Sequence, residues 1–144
     1  MEINGLPLHP LVIHAAVVFG PLAALAALVY AVVPSWRDRM RIPMVALALI
    51  AGGAVAAAYI TGTNFLDSKP ELKQLEQVQT HQDRAWIALW VTLAFAVVAL
   101  AAGFLHERRG ALRVGVQCLL IVAALGTLVS VVLTGDAGAR AVWG

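Results

Sequence analysis

Gly5-Leu-Pro-Leu-His-Pro-Leu-Val-Ile-His14 leads into a run with no charged side chain before Arg37. Two histidines, His9 and His14, stand where this apolar run begins. Hydrocarbon disfavours imidazole, and imidazole is a versatile ligand and proton carrier, so a histidine pair at a membrane entrance marks a functional site. Pro10 suits the first turn of a helix, where its missing N–H would have no partner anyway. A helix starting at His9 or Pro10 and ending near Val33 places His14 about one turn inside. Met1–Leu8 holds Glu2 and no Lys or Arg, unlike the basic opening of a cleavable signal, so this segment is expected to persist as a helix.

Composition extends that reading to the whole chain. Of 144 residues, 61% are hydrophobic and 12% charged, about half the charged fraction of an average soluble domain. The segments 3–36, 42–66, 85–105 and 114–135 lack Asp, Glu, Lys and Arg. Each reaches the roughly 20 residues that a helix needs to cross a bilayer core. The fold class is therefore all-α: one integral membrane domain, a four-helix bundle with helices near 10–33, 43–66, 84–105 and 112–134. Ala48, Gly52 and Ala56 recur every four residues, the pattern of close helix packing, which also leaves room for a flat ligand.

The loops orient the bundle. Arg37, Arg39 and Arg41 fill the first loop, and Arg108, Arg109 and Arg113 the third. The positive-inside rule puts both in the cytoplasm, so both termini and the 67–83 loop are extracytoplasmic. In a bacterium this is the inner membrane. In the 67–83 loop, Pro70, the spacing of Leu72, Leu75 and Val78, and Glu71 near the start predict a short amphipathic helix over 70–81 that overlies the bundle or continues into helix 3. Placing the arginines in short loops accounts for the net charge of +2, and no nucleic-acid footprint is present. The lone Cys118 lies in an apolar run and allows no internal disulfide.

With this topology His9, His14 and His81 fall on the outer side, joined by Asn64 and Asp67 after helix 2 and by Asp136 and Arg140 after helix 4. His106, in an arginine-rich loop, reads as a plain loop residue. Bundles build cofactor sites from histidines projecting inward from facing helices, and a haem iron takes one or two axial imidazoles. The leading expectation is a haem b used in electron transfer, with His14 and His81 as axial ligands. His9 would support them or serve as an alternative ligand, and Arg140 would pair with a propionate. A transition metal held by His9, His14, His81 and Asp67 or Asp136 is a second reading, although no HxH or HExxH spacing is present. The third is a cofactor-free subunit packed against other membrane proteins, with His9, His14 and His81 as interfacial polar residues and Asp136–Arg140 a local ion pair. Proton transport finds no charged residue at the helix centres. Trp86 and Trp90 read as interfacial anchors or core packing. No GxSxG, P-loop, CxxC or paired-carboxylate motif appears, so a stand-alone enzyme is not indicated. The partners implied are the lipid bilayer, a redox partner or other membrane subunits, or a second copy of the chain.

The opening Gly5–His14 motif resembles that of the bacterial membrane family catalogued as domain of unknown function 2231. Thr61-Gly-Thr-Asn-Phe-Leu-Asp67, His81 and Thr134-Gly-Asp-Ala-Gly-Ala-Arg-Ala-Val-Trp-Gly144 are similar to that family's later features. The resemblance covers nearly the whole chain and implies a four-helix membrane domain. Members often follow the second histidine with Phe-Pro, where this chain has Ala15-Ala16, so the start of helix 1 packs in its own way. Some relatives appear joined to Rieske-type iron–sulfur domains, which implies electron transfer near the outer face.

Overall fold

A computed structural model describes residues 2–3 and 6–144; Gly5, the first residue of the opening motif, lies outside them. Glu2–Ile3 (β1) pairs antiparallel with Leu6–Pro7 (β2), and four helices follow: α1 Leu8–Val32, α2 Arg37–Asp67, α3 Glu76–Phe104 and α4 Ala111–Trp143. All four are long and apolar enough to cross a membrane. They pack in the cyclic order α1–α2–α3–α4, each against its two neighbours, which leaves α1 and α3 on one diagonal and α2 and α4 on the other.

The turns follow from local chemistry. Pro34 disfavours helical backbone at the residue before it, and Val33 is extended there, ending α1 at Val32. A 3₁₀ turn over Pro34–Trp36 then leads directly into α2. Between α3 and α4 the chain turns at Gly110, whose φ of 69° suits a residue without a Cβ.

Three of the helices reach beyond the charge-free segments that mark them in the sequence. α2 begins at Arg37, α3 at Glu76, and α4 continues to Trp143. Absence of charge reports where hydrocarbon lies, whereas a helix continues wherever its backbone bonds remain satisfied. The helix expected over 70–81 is interrupted once: Pro70–Gln74 is a 3₁₀ helix, Leu75 is extended, and 76–81 continues into helix 3 as the first part of α3. A three-residue apolar spacing matches the 3₁₀ repeat as well as an α-helical one. Leu75 is left 44% exposed.

Small side chains fill the centre. Ala23, Ala24, Ala27, Ala48, Ala51, Ala99 and Ala124 pack around Tyr30, Met44, Phe95 and Leu120. Ala16, Val55 and Leu89 form a second cluster nearer the chain termini. Without a hydrophobic drive between helices in lipid, close van der Waals approach carries the association. The Ala48–Gly52 row makes that approach: a Cβ on Gly52 would stand 3.4 Å from the Ala96 Cβ. Gly103 is tighter, since a Cβ there would meet Val45 Cγ2 at 2.7 Å. Larger residues such as Leu25, Val97, Phe104 and Val122 cover the exposed faces, as contact with lipid requires.

Gly103→Ala is expected to destabilise the bundle by about 1–3 kcal/mol through overpacking against Val45. Gly53→Ala, with nothing within 4 Å of the new Cβ, is expected to leave stability unchanged or raise it by up to about 1 kcal/mol. Thermal unfolding in detergent compares them; shifts of the same sign would refute close α2–α3 packing at Gly103.

Candidate functional site

The bundle has two polar ends. At the terminal end, where the chain begins and finishes, α1 delivers His9 against α2. The Thr61 hydroxyl has one proton, and its nearest acceptors are the Ala57 and Ala58 carbonyls at 2.8 and 3.1 Å. The His9 Nδ1–H therefore donates to Thr61 Oγ1, at 3.2 Å. The ring also lies over Gly62, where an added Cβ would come within 2.8 Å of its Cε1, and stacks 6.3 Å from Phe65.

α3 places His81 against α4 in the same manner. Its Nδ1–H donates to the Thr134 carbonyl at 3.1 Å, because a carbonyl can only accept. Gly138 forms the seat, and a Cβ there would approach the ring to 3.0 Å. His9 and His81 are both half-buried and come from diagonally opposed helices at the same end of the bundle. Among the described residues neither ring's Nε2 has a hydrogen-bond partner, the arrangement found when imidazole serves as a ligand.

His14 is placed differently. Its Nδ1–H donates to the Pro10 carbonyl at 2.7 Å, and the residue is exposed. Five residues beyond His9 it has turned roughly 140° round the helix, away from the face that carries Ala16, Gly20 and Ala23 into the core. At the terminal end His9 and His81 are thus half-buried between helices, whereas His14 is exposed. Asn64 is exposed, and Asp67 pairs with Lys73 at 2.6 Å.

Asp136 receives Arg140 Nε at 3.0 Å and stands 3.7 Å from Arg84 Nη1, which also donates to the Leu133 carbonyl. These groups belong to a pocket of about 290 Å³ lined by Glu76, Gln77, Thr80, Arg84, Asp136 and Arg140 with Ala137. It opens beside α3 and α4, with Arg140 in its wall. Among the described residues, no group of three or more His, Cys, Asp or Glu is arranged to hold a metal ion.

At the arginine-rich end, the reading of His106 as a plain loop residue is corrected. It is only 6% exposed. Its Nε2–H donates to Asp38 at 2.9 Å, and its Nδ1 lies 3.0 Å from the Tyr30 hydroxyl. Arg37 Nη2 donates to that hydroxyl at 3.3 Å and to the His106 carbonyl at 2.9 Å, and the guanidinium sits 5.1 Å from the Tyr30 ring centre. Arg41 Nε donates to the Gly103 carbonyl at 3.0 Å. These bonds tie α1, α2 and the end of α3 together. The available signal was Tyr30, a lone hydroxyl-bearing aromatic at the end of an apolar helix, followed at once by Arg37-Asp38.

The family model described as "Predicted membrane protein (DUF2231)" matches residues 5–144. The chain belongs to this family. No curated protein and no solved structure matches it significantly. The stretches that carry the DUF2231 resemblance are the ones that meet at the terminal end. His9 of the opening motif seats on Thr61-Gly62, and His81 seats on Thr134 and Gly138. The arginine-rich end contributes none of those motifs, and its network reads as a structural tie in this DUF2231 chain.

Tyr30→Phe removes the hydroxyl shared by Arg37 and His106 and strands buried polar atoms, a loss of about 1–3 kcal/mol. The expected result is a lower melting temperature in detergent with an unaltered helical circular dichroism spectrum. An unchanged melting temperature would show that the network carries no stability.

Proposed function

We propose that the terminal end of the bundle holds a haem b used in electron transfer, with His9 and His81 as the two iron ligands. The observation that carries the reading is the matched state of the two rings. Both donate Nδ1–H to a neutral acceptor and keep Nε2 free, on diagonal helices at one end of the bundle. Such outer hydrogen bonds fix ring orientation and raise ligand basicity. Gly62 and Gly138 hold the rings in place. A haem between two imidazoles supplies one-electron chemistry with little change in its ligands. The proposal keeps His81 as the ligand expected from sequence and puts His9 in place of His14, which is exposed and bonded to its own helix.

One observation favours a second reading. The pocket of about 290 Å³ at this end opens beside α3 and α4 and not between the rings, so a porphyrin requires the helix ends to part. If they do not, His9 and His81 are packing residues of a cofactor-free subunit that associates with other membrane proteins.

Topology belongs to the same proposal. The six arginines of the first and third loops assign the arginine-rich end to the cytoplasm. The histidine pair then lies near the extracytoplasmic face of the bacterial inner membrane, within reach of a redox partner there. A cysteine introduced at Gly144 in a Cys118→Ser background is expected to react with a membrane-impermeant maleimide in intact spheroplasts. Labelling only after lysis would reverse the assignment.

The deciding experiment is an absorption spectrum of the protein produced with ample haem, purified in detergent, oxidised and then reduced with dithionite. The haem reading expects a Soret band and sharp reduced α and β bands. It also expects loss of that signal in His9→Ala and His81→Ala, and its retention in His14→Ala. A featureless spectrum from folded protein would refute it in favour of the cofactor-free subunit.

A further inference from the structure

We infer that the pocket between the start of α3 and the end of α4 binds the headgroup of a zwitterionic phospholipid whose cation is a primary ammonium. The inference does not use the histidine pair.

Position comes first. Arg84 is the last charged residue before the charge-free segment 85–105, and Asp136 the first after the charge-free segment 114–135. The lining residues 76–84 and 136–140 therefore flank the hydrocarbon-spanning parts of their helices and lie at headgroup depth. Trp86 and Trp90, both exposed and one edge-on to the other, stand just inside that level, where amphipathic rings mark the membrane interface.

The lining supplies both signs of charge. Two guanidiniums and two carboxylates cancel, so no general preference for anionic lipid results. The polar groups are only partly used. Arg140 engages Asp136 through Nε, leaving both of its Nη groups, and Arg84 uses Nη1, leaving Nη2 and Nε. Guanidinium N–H groups in fixed directions match phosphate oxygens. Among the described residues Glu76 has no ion-pair partner and is exposed at the rim. Glu76, Gln77 and Thr80 thus offer acceptors to an ammonium that carries N–H bonds. A quaternary ammonium has none and is recognised instead by aromatic faces; no aromatic residue lines this pocket. The chemistry selects phosphoethanolamine over phosphocholine.

The test is native mass spectrometry of the full chain in detergent, titrated with phosphatidylethanolamine, phosphatidylcholine and phosphatidylglycerol of identical acyl chains. The ethanolamine lipid is expected to bind about two- to fivefold more tightly than the choline lipid, the range for one solvent-exposed ion pair. Glu76→Gln is expected to remove that preference, and Arg140→Gln to weaken binding of both; each side chain is exposed, so the fold is retained. Equal binding of the ethanolamine and choline lipids, tighter binding of phosphatidylglycerol, or a preference that survives Glu76→Gln would overturn the inference. Soluble phosphoethanolamine at the same concentration is expected not to bind. Binding equal to that of the lipid would overturn the lipid assignment in favour of a soluble ligand.

Discussion

Hydrocarbon cannot hydrogen-bond, and that constraint organises this molecule. Backbone groups crossing it must be paired within each helix, so four long helices carry the chain. Charged and imidazole groups are confined to the two ends. Some hydroxyls in the spans bond back to their own helix, as Ser130 does to the Thr127 carbonyl and Thr134 to the Ser130 carbonyl, whereas the buried hydroxyls of Thr92 and Thr127 have no partner among the described residues. With polar attraction excluded from the middle, helix contact rests on van der Waals approach. The alanine-lined centre and the close passage of Gly103 past Val45 supply it.

Glycine has a second use at the terminal end. Gly62 and Gly138 lie inside helices, where glycine is about 1 kcal/mol less favourable than alanine. Each occupies a point where a neighbouring imidazole lies against the helix, and a Cβ would collide with that ring. The helix-propensity cost is offset by seating His9 between α1 and α2 and His81 between α3 and α4. The rings are thereby held at the same end, each with its Nδ1–H bound to a local acceptor.

The two ends differ in what they leave uncommitted. At the arginine-rich end His106 uses both ring nitrogens, and the Tyr30 hydroxyl joins Arg37 and His106 while lying 3.2 Å from the Ala102 carbonyl. That network acts as a tie, with the Arg37 Nε buried and without a partner among the described residues. At the terminal end two Nε2 atoms, several guanidinium N–H groups and Glu76 have no partner among the described residues.

Sequence alone determined the class, the number of spans and their approximate limits, because hydrocarbon imposes a length and an absence of charge that can be read residue by residue. It also identified His9 and His81 as members of one polar end, since helix parity assigns each segment's ends to a side. Tertiary structure decided which residues meet. A turn of roughly 140° separates His9 from His14, and only packing shows which of the two faces the core. The sequence around His106 carries no trace of Tyr30 and Asp38 approaching it from other helices. Burial and partnership are properties of what surrounds a residue, and the chain acquires those surroundings only when its helices assemble.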